Sequence, residues 1–269
     1  MFQSIGNTWL IATTEIKRTL ITKRGLISLA AFALVWALLL ATVIYRAPAL
    51  IANGSAIGSM LGAGKLTSLL NWKVEELGAY WFIALYLFPL CTVVFAADQT
   101  ASDKTRGTLK ILTLHTSRTS LFFGRFTGLM LVQGLIIALT LLSTIIVAAF
   151  REPALITDSA NHAVFIWVNL MIVIAPYTAL MALISLFAKS GMQAVNYAAI
   201  LWILFFFVVY FLSNKFPEAQ LLKSFFPGAQ VSDLVGHHDW TALKTVPIPA
   251  FQTIVFLAAG LFFMHRIDL

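Results

Sequence analysis

The chain has 269 residues, 60% of them hydrophobic and only 11% charged, with 22 Phe, 7 Trp and a formal net charge of +7. So apolar a chain has lipid as its natural solvent, which excludes a soluble domain, and its positive charge suits an anionic bilayer surface better than nucleic acid. The single cysteine, Cys91, excludes an intrachain disulfide framework and a cysteine metal site.

The first 25 residues read as an amphipathic interfacial helix. Ile5, Trp9, Ala12, Ile16 and Leu20 recur at spacings of three and four, and Lys17, Arg18, Lys23 and Arg24 gather at its C-terminal end. Six apolar runs follow, at about 26–45, 79–97, 126–149, 163–187, 192–213 and 247–264, none containing Asp, Glu, Lys or Arg. Each is close to the roughly 20 residues that cross a hydrocarbon core about 30 Å thick. Strict period-2 alternation is missing, which argues against a barrel. The first run starts too late and is too long for a signal-peptide core. The expectation is an all-α integral membrane protein with six transmembrane helices, forming one domain over residues 1–269.

A cytoplasmic N-terminus would put eleven of the 18 Lys and Arg residues in inside segments and seven in longer outside ones. That favours both termini on the cytoplasmic side. Residues 46–78 form a small-residue outside loop, and AKSG at 188–191 is a turn tight enough to make its flanking spans antiparallel neighbours. GAGKLTS at 62–68 resembles a phosphate-binding loop, but Ser59 stands where the first glycine belongs and Leu66 follows Lys65. Residues 214–246 hold short apolar pieces broken by Pro217, Pro227, Gly228 and Gly236, which suits a re-entrant or interfacial outer segment.

No catalytic constellation emerges: there is no HExxH, no nucleophile elbow and no buried acidic pair. His237, His238 and Asp239 have metal-ligand types without a metal-ligand spacing, so interfacial polarity is the simpler reading and no metal is assigned. His162 and His265 read as span-boundary residues. Within the spans, Gln133, Asn169, Tyr177 and Asn196 are candidates for a substrate path. Hydrogen bonding between helices accounts for the same residues. Without an intramembrane ionisable residue, an ion-coupled transporter is disfavoured and any transport energy must come from outside the membrane.

The chain concentrates charge in one connection, DQTASDKTRGTLKILTLHTSR from Asp98 to Arg118. The spacing predicts a span emerging from the membrane, a break at Gly107 and a short helix from about Thr108 to His115, with Thr108 as its cap. Such a helix would offer Leu109 and Leu112 to a groove on a soluble partner, with Asp103, Lys104 and Arg106 as charged contacts. A solvated loop that only enforces topology is the alternative.

The pattern D-x4-[DE]-x3-GTL, then SR and G-[KR], is carried by Asp98, Asp103, Gly107-Thr108-Leu109, Ser117-Arg118 and Gly124-Arg125. It resembles the first cytoplasmic loop (98–125) of type-2 ABC exporter permeases, especially the nitrous-oxide-reductase maturation permeases. The N-terminal interfacial helix, six spans, broken outer segment and HRIDL tail extend the resemblance to nearly the whole chain. Asp103 and Arg125 replace the more usual Glu and Lys, and HTSR lacks the usual proline before the SR pair. The resemblance implies a non-enzymatic permease that forms a homodimer and pairs with a separate cytoplasmic ATPase binding ATP and Mg. Asp98, Asp103, Lys104, Arg106, Gly107, Thr108, Leu109, Leu112 and Arg118 would form the ATPase-coupling element. A periplasmic or extracellular accessory protein is a further partner, and a membrane scaffold without a transport cycle is the alternative function.

Overall fold

The computed structural model describes residues 2–52, 72–215, 222, 224–237 and 239–267. The phosphate-loop-like fragment 62–68, Pro217, Lys223, His238 and the last two residues lie outside them. Among the described residues the elements are helices and turns. In chain order they are α1 (Phe2–Ile21), α2 (Lys23–Leu39) continued by a wide π turn (Leu40–Ile44), α3 (Ala47–Ala52) and α4 (Glu75–Phe95). Then come α5 (Ala101–Thr105), α6 (Thr108–His115), α7 (Arg118–Arg151), α8 (Leu155–Phe187), α9 (Gly191–Lys215), α10 (Val231–Leu234), a 3-10 turn (Trp240–Thr245) and α11 (Pro247–Arg266).

Six helices, α2, α4, α7, α8, α9 and α11, are long and apolar enough to cross a membrane. The fold is an all-α integral membrane protein. At 1.5 Å per residue the 34-residue α7 is about 51 Å long, well beyond the apolar layer. It starts at Arg118, eight residues before the apolar run at 126, because Ser117 caps it by accepting from the Ser120 amide at 3.1 Å. That extra length gives the loop end of the bundle a helix to build on.

The centre of the bundle is α4, α7 and α8, whose spans are 56%, 44% and 67% buried, whereas α2 and α9 are each 11% buried. Lipid supplies no hydrophobic drive between helices, so polar side chains and close packing hold the centre. The Trp36 indole donates to Ser143 Oγ at 3.0 Å, the Trp81 indole to the Leu234 carbonyl at 3.2 Å and the Trp167 indole to the Gly134 carbonyl at 2.9 Å. Tyr80 Oη and Thr140 Oγ1 are 3.0 Å apart. Gln252 of α11 donates to the Ser224 and Phe226 carbonyls, so the outer segment folds onto the bundle, where Val231, Leu234 and Ala242 join the central core. At that same end Arg151 forms a forked pair with buried Glu76, at 2.8 and 3.0 Å.

α1 sits on α7 at a pair of glycines. A Cβ at Gly124 would meet Ile11 at 2.7 Å and the Thr8 carbonyl at 2.8 Å; one at Gly128 would meet the Ala12 carbonyl at 2.8 Å and Glu15 at 2.9 Å. The docked stripe is therefore Thr8, Ile11, Ala12 and Glu15, adjacent to the stripe expected from periodicity. Trp9, on the apolar face read from the sequence as interfacial, is 59% exposed and lies outside the stripe that docks on α7. Gly128→Leu is expected to destabilise the fold by about 1–3 kcal/mol through overpacking. Gly6→Ala, where a Cβ meets nothing within 4 Å, should leave stability at or slightly above wild type in the same denaturation assay.

Candidate functional site

Where α4, α8 and α11 end and α7 begins, the segment from Asp98 to Arg118 folds across the bundle. A helix leaves its last four carbonyls unpaired, and cations are favoured there. Lys104 Nζ donates to the Leu186 carbonyl at the end of α8, at 2.8 Å, and Thr105 donates to the Lys189 carbonyl at 2.7 Å. Arg118 places one nitrogen 2.9–3.0 Å from the carbonyls of Met264, His265 and Ile267 at the end of α11. Arg18 of α1 donates to the Asp98 carbonyl at 2.6 Å, and Arg125 of α7 to that of Gln99, both just past the end of α4. The carboxylate of Asp98 accepts from the amide and hydroxyl of Ser102, at 2.9 and 2.7 Å, which sets the first turn of α5.

Beneath this layer lies a charge centre. Asp103 pairs with Arg125 at 2.5 Å and with Arg18 at 3.3 Å, and Arg18 also reaches Glu15 at 3.6 Å. The Arg125 side chain is only 4% exposed, so Asp103 is the counter-ion that makes its burial tolerable. Burial raises the pKa of Glu15, while Arg18 and Arg125 pull it back down and Asp103 and Asp98 push it up. Charges from α1, α5 and α7 thus meet in one cluster.

The chain then turns sharply. Gly107 has φ +73°, and a Cβ there would meet nothing within 4 Å, so backbone conformation alone calls for glycine. α6 runs from Thr108 to His115 without a side-chain cap: the Thr108 hydroxyl, expected to cap it, instead donates back to the carbonyl and carboxylate of Asp103, both at 3.1 Å. Leu109, expected to face a partner, is 1% exposed and packs with Ile11, Leu121, Phe122 and Met264. The reason is helical phase: once Gly107 aims α6 back at the bundle, its first turn is the anchor. The outward apolar face is Ile111, Leu112 and Leu114, with Leu114 77% exposed. Leu112 was anticipated from the sequence; Ile111 and Leu114 were missed, although the run ILTL contains both. Arg106 is exposed between the two short helices.

The model of the ABC-2 family transporter proteins matches residues 9–260 of the chain. The chain belongs to that family. It is a membrane permease subunit of an ABC transporter. No curated protein matches it significantly.

The four span residues singled out as a substrate path in this permease have different surroundings. Gln133 accepts from Thr178 and Thr92, at 3.2 and 3.4 Å, inside the bundle. Asn169 donates to the Phe165 carbonyl of its own helix at 2.9 Å, which satisfies it locally. Asn196 is exposed on α9. Tyr177 borders two cavities. Composition could not separate these cases, because a polar residue in a span has the same letter whether it ties helices together or faces a void. His237 Nδ1 lies 2.9 Å from the Asp233 carbonyl, and Asp239 accepts from the Thr241 amide at 3.2 Å, so both are tied into the outer segment.

Asp103→Asn is expected to destabilise the permease by about 3–5 kcal/mol, since it leaves Arg125 buried without its counter-ion. Arg106→Ala should stay within about 0.5 kcal/mol of wild type; chemical denaturation in detergent reads both. Glu15 adds a pH dependence. Its folded pKa lies above the ordinary 4.5, so through that window the folded state holds more protons than the unfolded one. Stability therefore falls as pH rises through the window, and Glu15→Gln should remove that slope in unfolding curves measured across pH.

Proposed function

We propose that this permease works as the membrane half of an ATP-driven exporter, with its termini and the Asp98–Arg118 segment on the cytoplasmic side. Two copies pair, and each seats α6 in a separate cytoplasmic ATPase that binds ATP and Mg. The observation that supports this reading is the outward face of α6. Ile111, Leu112 and Leu114 are exposed on an eight-residue helix whose surroundings are rich in charge. Apolar side chains at such a place are satisfied by a protein groove.

Rigidity is the second support. A coupling element transmits force only if it moves with the bundle, and α6 is joined to α5 through Thr108 and to α7 and α11 through Leu109. ATP binding then shifts the membrane part between two states to the extent that the ATPase holds α6 differently in each. Asp103 and Arg106 keep distinct roles in this reading: Asp103 holds the element together, and Arg106 meets the partner. Export is the direction because the loop pattern resembles that of exporter permeases, and resemblance to the nitrous-oxide-reductase maturation group suggests cargo for sulfur or metal-centre assembly.

The test is co-purification of the ATPase from native membranes, with ATP hydrolysis assayed on the eluate. The double variant Ile111→Glu/Leu114→Glu should fold normally, as both side chains are exposed, yet lose at least tenfold of the bound ATPase. Wild-type pairing in that variant would remove α6 as the seat. Purification of an intact complex with no nucleotide-binding subunit would replace the exporter reading with a scaffold.

A further inference from the structure

Two cavities lie between α9 and the rest of the bundle, of about 470 and 510 Å³. Both are bordered by Tyr177 of α8, Trp202 of α9 and Gly228 of the outer segment. One arm runs on toward Phe226 and Tyr210, the other along Pro89 and Leu90 of α4. Each volume is in the range of small-molecule sites and far larger than a water.

The junction of the arms is polar and unsatisfied. Tyr177 is only 7% exposed, and its ring stacks on Trp202 with centroids 5.7 Å apart and planes at 30°. Its hydroxyl stands over Gly228, where a Cβ would come within 2.4 Å of it; at φ +100° this residue also has the backbone conformation reserved for glycine. Neither the Tyr177 hydroxyl nor the Trp202 indole N–H has a hydrogen-bond partner among the described residues, although Trp36, Trp81 and Trp167 all have one. Tyr177 is buried and Trp202 half-buried, so both polar atoms face the cavities, where a buried Tyr or Trp donor normally finds an acceptor. The remaining lining is mostly aromatic and aliphatic.

We infer that this is a binding site for an amphiphile with an apolar body and an oxygen acceptor such as a ketone, ester or ether. The oxygen accepts from the Tyr177 hydroxyl and the Trp202 indole, and the apolar body occupies the arms. The exposed rim residues Leu90, Ile203 and Phe206 let the site fill from the side, through lipid. The inference requires no ATPase and is tested on the permease alone, so its failure leaves the coupling proposal standing.

The experiment uses the purified full chain in phosphatidylcholine nanodiscs with two photoprobes: free benzophenone, a diaryl ketone, and a phosphatidylcholine carrying a diazirine in one acyl chain. Labelled peptides are mapped by mass spectrometry. Label is expected in the peptides containing Trp202 and Gly228. Tyr177→Phe keeps the ring and loses the donor, so half-maximal labelling should need about fivefold more ketone, the worth of one hydrogen bond. Ala199→Trp, which fills the arm along α4, should remove label near Pro89 and Leu90 while the protein stays folded. Saturable labelling by the ketone identifies a free amphiphile; saturable labelling by the lipid probe alone identifies a bilayer lipid through its ester oxygens. Label spread evenly over lipid-facing helices, or unchanged in both variants, overturns the site. So does a disulfide between copies of a Phe206→Cys variant that forms quantitatively while the cavity peptides stay unlabelled, since a second copy would then be the cover.

Discussion

Helix ends are the constraint on which this permease depends. A membrane bundle satisfies its backbone within each helix, but each C-terminal end leaves carbonyls that neither lipid nor the helix itself can pair. At the loop end the answer is a set of cations. Lys104 closes α8, Arg118 closes α11, and Arg18 and Arg125 meet the carbonyls just past α4. Each of these side chains comes from a different element than the one it caps. Capping and tertiary assembly are therefore one event, and the loop that provides the caps is fastened wherever it caps.

This gives the loop pattern a structural meaning. Asp98 sets the turn into α5, Asp103 neutralises buried Arg125, Gly107 supplies the left-handed turn, and Thr108 ties that turn to Asp103. Leu109 is the apolar anchor, Ser117 caps α7, Arg118 closes α11, and Gly124 lets α1 approach. Charges that look like a surface for a partner are mostly engaged within the chain. What they leave for a partner is small: Arg106 and the outward side of α6.

The two ends of the bundle differ in kind. The loop end is a dense polar assembly in which α1 and α7 share a glycine crossing above the ionic cluster. The other end is held by the Glu76–Arg151 fork and by an outer segment pinned through Trp81 and Gln252. Between them α9 is scarcely buried and leaves the aromatic cavities at Tyr177.

The sequence by itself determined the solvent and the scaffold. Runs without charge mean lipid, their lengths mean helices that span, and the Gly107 break followed by an apolar run means a short helix outside the apolar phase. These are local properties, written in hydropathy and in one glycine's backbone freedom. Only the tertiary structure decided which side of that helix faces out, that Leu109 anchors while Ile111 and Leu114 are presented, and that Thr8, Ile11, Ala12 and Glu15 form the stripe of α1 that docks on α7. It also gave Gln133, Asn169 and Asn196 their different partners and set Tyr177 at a void. The physical reason is common to all of them. Phase, pairing and enclosure depend on groups distant in sequence, such as Arg125 for Asp103 or Gly228 for Tyr177, and no single stretch of residues contains both partners.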